Sequence, residues 1–134
     1  MEKIIPSFEP ILAGEPYNFT PFLRVPKDMV IGEEWAQLSA LAVLTYALLL
    51  ERALVSKDNP KFTDRDGYPY IIFQQAELAG LLRVSIPTVR KTLVSLEKIG
   101  LIKRRHMFLT VPDRIYVRYF KSPCYEIDHS DEDS

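Results

Sequence analysis

A chain with one cysteine, Cys124, cannot close a disulfide on itself. That excludes the stapled secreted scaffolds and leads us to expect a reducing, cytoplasmic setting. Only two histidines are present, His106 and His129, and His129 sits in an acidic C-terminal stretch. No cluster of metal ligands accompanies them, no nucleophile is spaced with a base, and no glycine-rich loop precedes a lysine to cradle phosphate. Long apolar runs are missing too. The most apolar stretch, Leu38 to Leu50, contains Ser39, Thr45 and Tyr46 and is too short to cross a bilayer. The opening Met1-Glu2-Lys3-Ile4-Ile5-Pro6 leads into neither an apolar run nor a cleavage site of the secretory kind. These gaps leave no reason to expect an enzyme, a cofactor, a metal site or a membrane partner.

Net charge is only -1, so no overall sign bias points to a partner. Its distribution is more telling. Between Arg83 and His106 stand Arg83, Arg90, Lys91, Lys98, Lys103, Arg104 and Arg105 against the single acid Glu97, a surplus of six; the rest of the chain carries a deficit of seven. A local basic segment of this kind is the electrostatic footprint of nucleic-acid binding. The last residues include Glu126, Asp128, Asp131, Glu132 and Asp133, and residues 121–134 read as an acidic, disordered tail.

Composition otherwise suits one folded domain, with 47% apolar and 26% charged residues in 134. Pro6, Pro10, Pro16, Pro21 and Pro26 forbid a long helix early on, so residues 1–32 read as an extended N-terminal arm with a short strand at Phe22 to Val25. The domain proper is expected over 33–120. Its first helix spans Ser39 to Leu54, with Ser39 as cap and apolar rows Leu41, Leu44, Leu48 and Ala42, Thr45, Leu49. Asp66-Gly67 marks a turn, and Tyr68 to Phe73 an edge strand limited by Pro69. Asp64 and Asp66 do not follow a calcium-loop pattern and read as solvated turn carboxylates. A second helix covers Gln74 to Leu82, where Gly80 suggests close helix packing.

The third helix carries the functional signal. Ser85 can cap it, Pro87 suits its first turn, and Gly100 can end it in the left-handed conformation. Val89, Thr92, Leu93 and Leu96 fall on an inward stripe, while Thr88, Arg90, Lys91, Val94, Ser95 and Lys98 fall outward or on the flanks. A strand from Leu101 to Arg105 follows. It returns from Ile115 toward Tyr119 after a turn or break at Pro112-Asp113. Helix, turn, capped helix and basic hairpin make an α+β fold of winged helix-turn-helix type. The major groove of duplex DNA admits one such helix. The DNA-binding residues expected are Thr88, Arg90, Lys91, Ser95 and Lys98 on the helix and Lys103, Arg104 and Arg105 on the wing. Strand alternation should turn only one of Arg104 and Arg105 outward.

In this order and spacing the residues resemble a known family. They are similar to the N-terminal domain of RepA-type replication initiators, found on plasmids and integrated elements of Gram-positive bacteria. The resemblance runs from Phe19 to Tyr119. It comprises Phe22, Pro26-Lys27, Tyr46-Ala47-Leu48-Leu49-Leu50-Glu51-Arg52, Asp66-Gly67, Tyr70-Ile71-Ile72-Phe73, Ser85-Ile86-Pro87-Thr88-Val89, Gly100-Leu101-Ile102 and Pro112-Asp113-Arg114-Ile115-Tyr116-Val117. It implies sequence-specific binding of double-stranded DNA at origin repeats in replication initiation, often as a homodimer, with other replication proteins as further partners. It implies no cofactor. The alternative is a transcriptional regulator, or a winged-helix protein-interaction module without specific DNA binding. One departure concerns the wing tip, where His106-Met107-Phe108-Leu109-Thr110-Val111 replaces the family's glycine-containing turn. Family initiators are usually longer, which leaves two readings of this chain: an N-terminal portion, or a short relative with a regulatory role.

Overall fold

A computed structural model describes residues 8–16 and 21–120; the expected tail at 121–134, with Cys124 and His129, lies outside the described residues. The chain turns helical earlier than its proline spacing suggests. Pro26 leads into α1, Lys27–Ile31, which inserts Met29 into the core at 4% exposure. Residues read as the end of an extended arm are therefore part of the folded body. The strand expected at Phe22 to Val25 does not form. Val25 packs against the core cluster instead, and the locked φ of Pro26 diverts the chain into α1. A 3₁₀ turn, Glu33–Trp35, then brings Trp35 against Phe120, with ring centroids 4.4 Å apart.

Helix α2, Ala40–Ser56, is the central element. Ser39 caps it, its side chain accepting from the Ala42 amide at 3.1 Å. Burial reaches well around its circumference, over Ala42, Val43, Thr45, Tyr46, Ala47 and Leu49, as its apolar surplus implies. Of the two apolar rows, Ala42, Thr45 and Leu49 are buried, whereas Leu44 in the other is 43% exposed, because the other elements pack on the 42/46/49 side. The buried Thr45 hydroxyl donates to the Leu41 carbonyl at 2.7 Å, and the Tyr46 hydroxyl donates to the Arg118 carbonyl at 2.6 Å. Buried polar groups are tolerated when partnered in this way. Beyond α2, Asn59 and Pro60 open a second 3₁₀ turn, Pro60–Phe62.

Helix α3, Gln75–Leu82, begins one residue later than expected, with Gln74 at its N-cap. It packs on α2 and on α4, Ile86–Ile99. Between α3 and α4 the chain reverses in three residues, with Arg83 at φ 60° in the left-handed region. Gly80 does not serve close packing: a Cβ placed there meets nothing within 4 Å. Helix α4 is amphipathic as expected, with Val89, Thr92, Leu93 and Leu96 buried. Ser85 caps it through the Thr88 amide at 3.3 Å. Gly100, at φ 98°, ends it and passes the chain to the sheet.

Strands β1, Ile102–Arg105, and β2, Arg114–Val117, pair antiparallel with Ile102 opposite Val117 and Arg105 opposite Arg114. The return strand stops short of Tyr119. Only the Arg118 amide prolongs the ladder, donating to Leu101 at 2.8 Å, and Tyr119 is left 74% exposed. The hairpin turns at Phe108 to Val111, not at Pro112-Asp113; Val111 donates to Phe108 at 3.0 Å, and Leu109 takes φ 45°. The strand expected at Tyr68 to Phe73 reduces to two bridges, Thr63 with Pro69 and Ile71 with Ile115. Pro69 lacks the amide that a longer ladder needs. Helices α2, α3 and α4, joined by the short α1 and capped by this small sheet, bury Tyr46, Leu49, Leu78, Leu96 and Ile102 among them and form an α+β winged helix.

Candidate nucleic-acid interface

Burying one stripe of α4 presents the opposite face to solvent. Arg90, Lys91, Ser95 and Lys98 are all exposed there, and Val94 between them is 53% exposed. Among the described residues no carboxylate pairs with Lys91, Lys98, Lys103 or Arg105. Arg90 donates through Nε to Oε1 of Gln75, the first residue of α3, at 3.1 Å. Ser95 donates to the Lys91 carbonyl at 3.1 Å, which leaves its oxygen able to accept. Thr88 is half-buried and shares its hydroxyl with Ser85 at 2.9 Å, so it belongs to the cap more than to the outer face.

On the wing, Arg104 and Arg105 separate as alternation requires. Arg105 and Lys103 are exposed. Arg104 turns back to α4, where Nε and Nη2 donate to Oε1 of Glu97 at 3.2 and 3.1 Å and its backbone amide donates to Oε2 at 3.0 Å. The Arg104 amide, then its guanidinium, holds the Glu97 carboxyl below its ordinary range, against a smaller opposing effect of burial. Arg104 is thus a strut from the last turn of α4 to β1, and its expected place on the outward wing face belongs to Arg105. The cause is one residue of register: Arg104 shares a strand face with the buried Ile102.

Pairing also adds a residue that sequence patterning passed over. Arg114 lies directly across the ladder from Arg105, with its guanidinium 4.2 Å from the Tyr70 ring centre. Like charges directly opposite on a sheet repel. Both line a cleft of about 490 Å³ together with Arg65, Asp64 and Asp66. Asp64 is not a freely solvated turn acid. It accepts from the amides of Tyr68 and Asp66 at 2.9 and 3.0 Å and from the Tyr116 hydroxyl at 2.9 Å. Those donors, the Tyr68 amide foremost, lower its pKa. Its role is to fasten the 63–68 loop to β2. No three His, Cys, Asp or Glu side chains converge among the described residues. Gln75 and Arg114 were invisible to periodicity, because each gains its place through a partner 15 or more residues away or across a ladder.

This arrangement has solved counterparts. A structure described as "N-Terminal domain of DNA binding protein" superposes with a TM-score of 0.66 at 23% identity, covering 90% of this chain and 98% of that one. Another, "Structure of Rep-DNA complex", gives 0.66 at 23% identity over 88% and 98%. A third, "Structure of MDR initiator", gives 0.60 at 26% identity over 83% and 89%. Comparison with curated proteins found no match. Residues 21–129 match the family described as Replication initiator protein A (RepA) N-terminus, and with four-fifths of its length so matched the chain belongs to that family.

Proposed function

We propose that this chain binds double-stranded DNA sequence-specifically at origin repeats and so takes part in replication initiation of a plasmid or integrated element. The observation that carries the reading is the outward face of α4. It sets Arg90, Lys91, Ser95 and Lys98 in one exposed row, on a helix whose other side is locked into the core. A helix so held enters the major groove as a rigid body, and its cations meet phosphates or base edges. Lys103 and Arg105 extend the positive surface along the wing. A solved relative of this fold is described as a Rep–DNA complex, which supports the same partner here.

The test is affinity for the element's own origin repeats against a scrambled duplex, at several salt concentrations. Binding to the repeats should be at least a thousandfold tighter, with log K falling linearly with log salt. Equal, weak binding to both duplexes would overturn the reading in favour of a protein-interaction module. The homodimer and the contacts with replication proteins belong to the same proposal, as does cytoplasmic action. Phe8 and Ile11, 89% and 95% exposed, are apolar surface available to a second copy. A solution mass of one protomer both free and on repeat-bearing DNA would remove the dimer from it.

A further inference from the structure

The contact between α3 and the recognition helix says more than that two elements pack. Arg90 and Gln75 meet through a single hydrogen bond, Nε to Oε1 at 3.1 Å, between side chains at or near the surface. Both helices are already held by buried residues, Leu78 and Ala79 on α3 and Val89, Leu93 and Leu96 on α4. One exposed polar contact adds little to such packing. Its main consequence is where the guanidinium points.

We infer that Gln75 is a positioning residue that aims Arg90 at a guanine, an inference that rests on the DNA-binding reading of α4. Arginine Nε carries one hydrogen and can only donate, so the amide of Gln75 must turn its oxygen toward Arg90. That occupies the Nε edge of the guanidinium. Four hydrogens remain, all on the two Nη atoms. Side-on recognition through Nε and one Nη is closed. End-on recognition, with both Nη atoms donating to guanine O6 and N7, is open and matches the commonest specific contact in the major groove. Arg90 is the fifth residue of α4, in the N-terminal part that meets base edges in helix-turn-helix proteins. Gln75 sits at the N-terminus of the helix before it, beside the cleft that the wing residues Leu109, Thr110 and Val111 also line. That cleft takes Leu93 from α4 as well, so Gln75 stands where the wing, α3 and α4 meet. Without Gln75, Arg90 keeps its charge but must lose rotamer freedom when DNA binds, so specific affinity falls while phosphate attraction persists.

The experiment uses the full 134-residue chain. A randomised duplex library selected on the parent supplies the preferred duplex. Parent, Q75A, R90A, the Q75A/R90A pair and Q75E are then titrated with that duplex, with a scrambled one, and with copies carrying 7-deazaguanine at one position at a time. Q75A should lose about 2- to 12-fold on the preferred duplex, the cost of immobilising one long side chain at the interface, and nothing on the scrambled one. In the R90A background the same change should have no effect. Parent protein should lose affinity when one particular guanine lacks its N7, and Q75A should lose less. Q75E keeps the acceptor, so it should restore the guanine preference while weakening all DNA through its charge. Melting temperatures should match throughout. Q75A binding like the parent, or losing equally on both duplexes, or losing as much without Arg90, overturns the inference. If the parent selects no duplex, the reading of α4 as a sequence reader falls and the role of Gln75 with it. If it selects one and Q75A is inert, only the positioning role falls.

Discussion

Two backbone positions near the recognition helix carry residues poorly matched to their conformation. Arg83 holds φ 60° at the end of α3, where a Cβ is disfavoured and glycine is not. Arg83→Gly should raise stability by about 1 kcal/mol, net of the extra freedom glycine gives the unfolded chain. Gly80 is the converse case, a glycine inside a helix with open space where its Cβ would be. Gly80→Ala should add up to about 1 kcal/mol. Urea midpoints measured at constant m-value check both, and a loss of stability in either would contradict the geometry. Glu97 supplies a pH signature. Its carboxyl is held low in the folded state, first by the Arg104 amide and then by the Arg104 guanidinium. A depressed folded pKa means that the unfolded chain binds the proton first as pH falls. The stabilisation is complete above the unfolded value near pH ~4.3 and is lost as pH drops through the lower folded value. Asp64 and Glu77 are shifted in the same direction, so all three steepen the acid limb. E97Q should flatten part of that limb and leave the neutral-pH slope unchanged, as read from melting temperature between pH 2.5 and 7.

At the scale of elements, helix and wing should divide their labour, and the structure separates two arginines that adjoin in sequence. Arg105 is exposed on the outer wing face, whereas Arg104 braces β1 against the end of α4. R105A should weaken binding to all duplexes alike and reduce the salt slope by about one, as loss of one phosphate contact does. R104A should leave Glu97 only the backbone amide of residue 104 and loosen the wing, which lowers the melting temperature as well as affinity. R90A should cost about 1–3 kcal/mol on the preferred duplex and relax one position. R90A and K91A both binding like the parent, while folded, would move the recognition surface from α4 to the wing. A second brace joins α2 to α3. The Arg52 guanidinium lies 3.5 Å from the Phe73 ring centre and donates to both Glu77 oxygens and to the Ile72 carbonyl. It accounts for an arginine at the end of the apolar run of α2.

Across the whole molecule, the helical bundle and the sheet meet at Tyr46. Its ring is fully buried, and its hydroxyl reaches 72 residues along the chain to the Arg118 carbonyl. Burial pushes its pKa up to about 12, so the phenol keeps the proton it donates throughout the neutral and moderately alkaline range. Tyr46→Phe preserves the ring and removes only that donor. It should cost about 1 kcal/mol, because the Arg118 carbonyl loses its partner. DNA affinity should be unchanged, since neither α4 nor β1 moves. Denaturant unfolding beside a duplex titration distinguishes this from a general loosening, which would reduce both.

The sequence by itself determined the elements whose signals are local. Ser39 and Ser85 cap helices, Gly100 ends one, and the 3.6-residue stripe of Val89, Thr92, Leu93 and Leu96 orients the recognition helix, because each depends on neighbours within a turn or two. The outward row of Arg90, Lys91, Ser95 and Lys98 followed from the same stripe. Alternation alone also settled that Arg104 and Arg105 must part. Tertiary structure decided which of them faces out, since that depends on the register of Ile102 against the core. It decided that Pro26 opens a helix with Met29 buried, that Gly80 packs against nothing, and that Arg114 stands opposite Arg105. It alone placed Gln75 against Arg90. Contacts of that kind join distant parts of the chain, and no periodicity records them, because they exist only once the helices have docked.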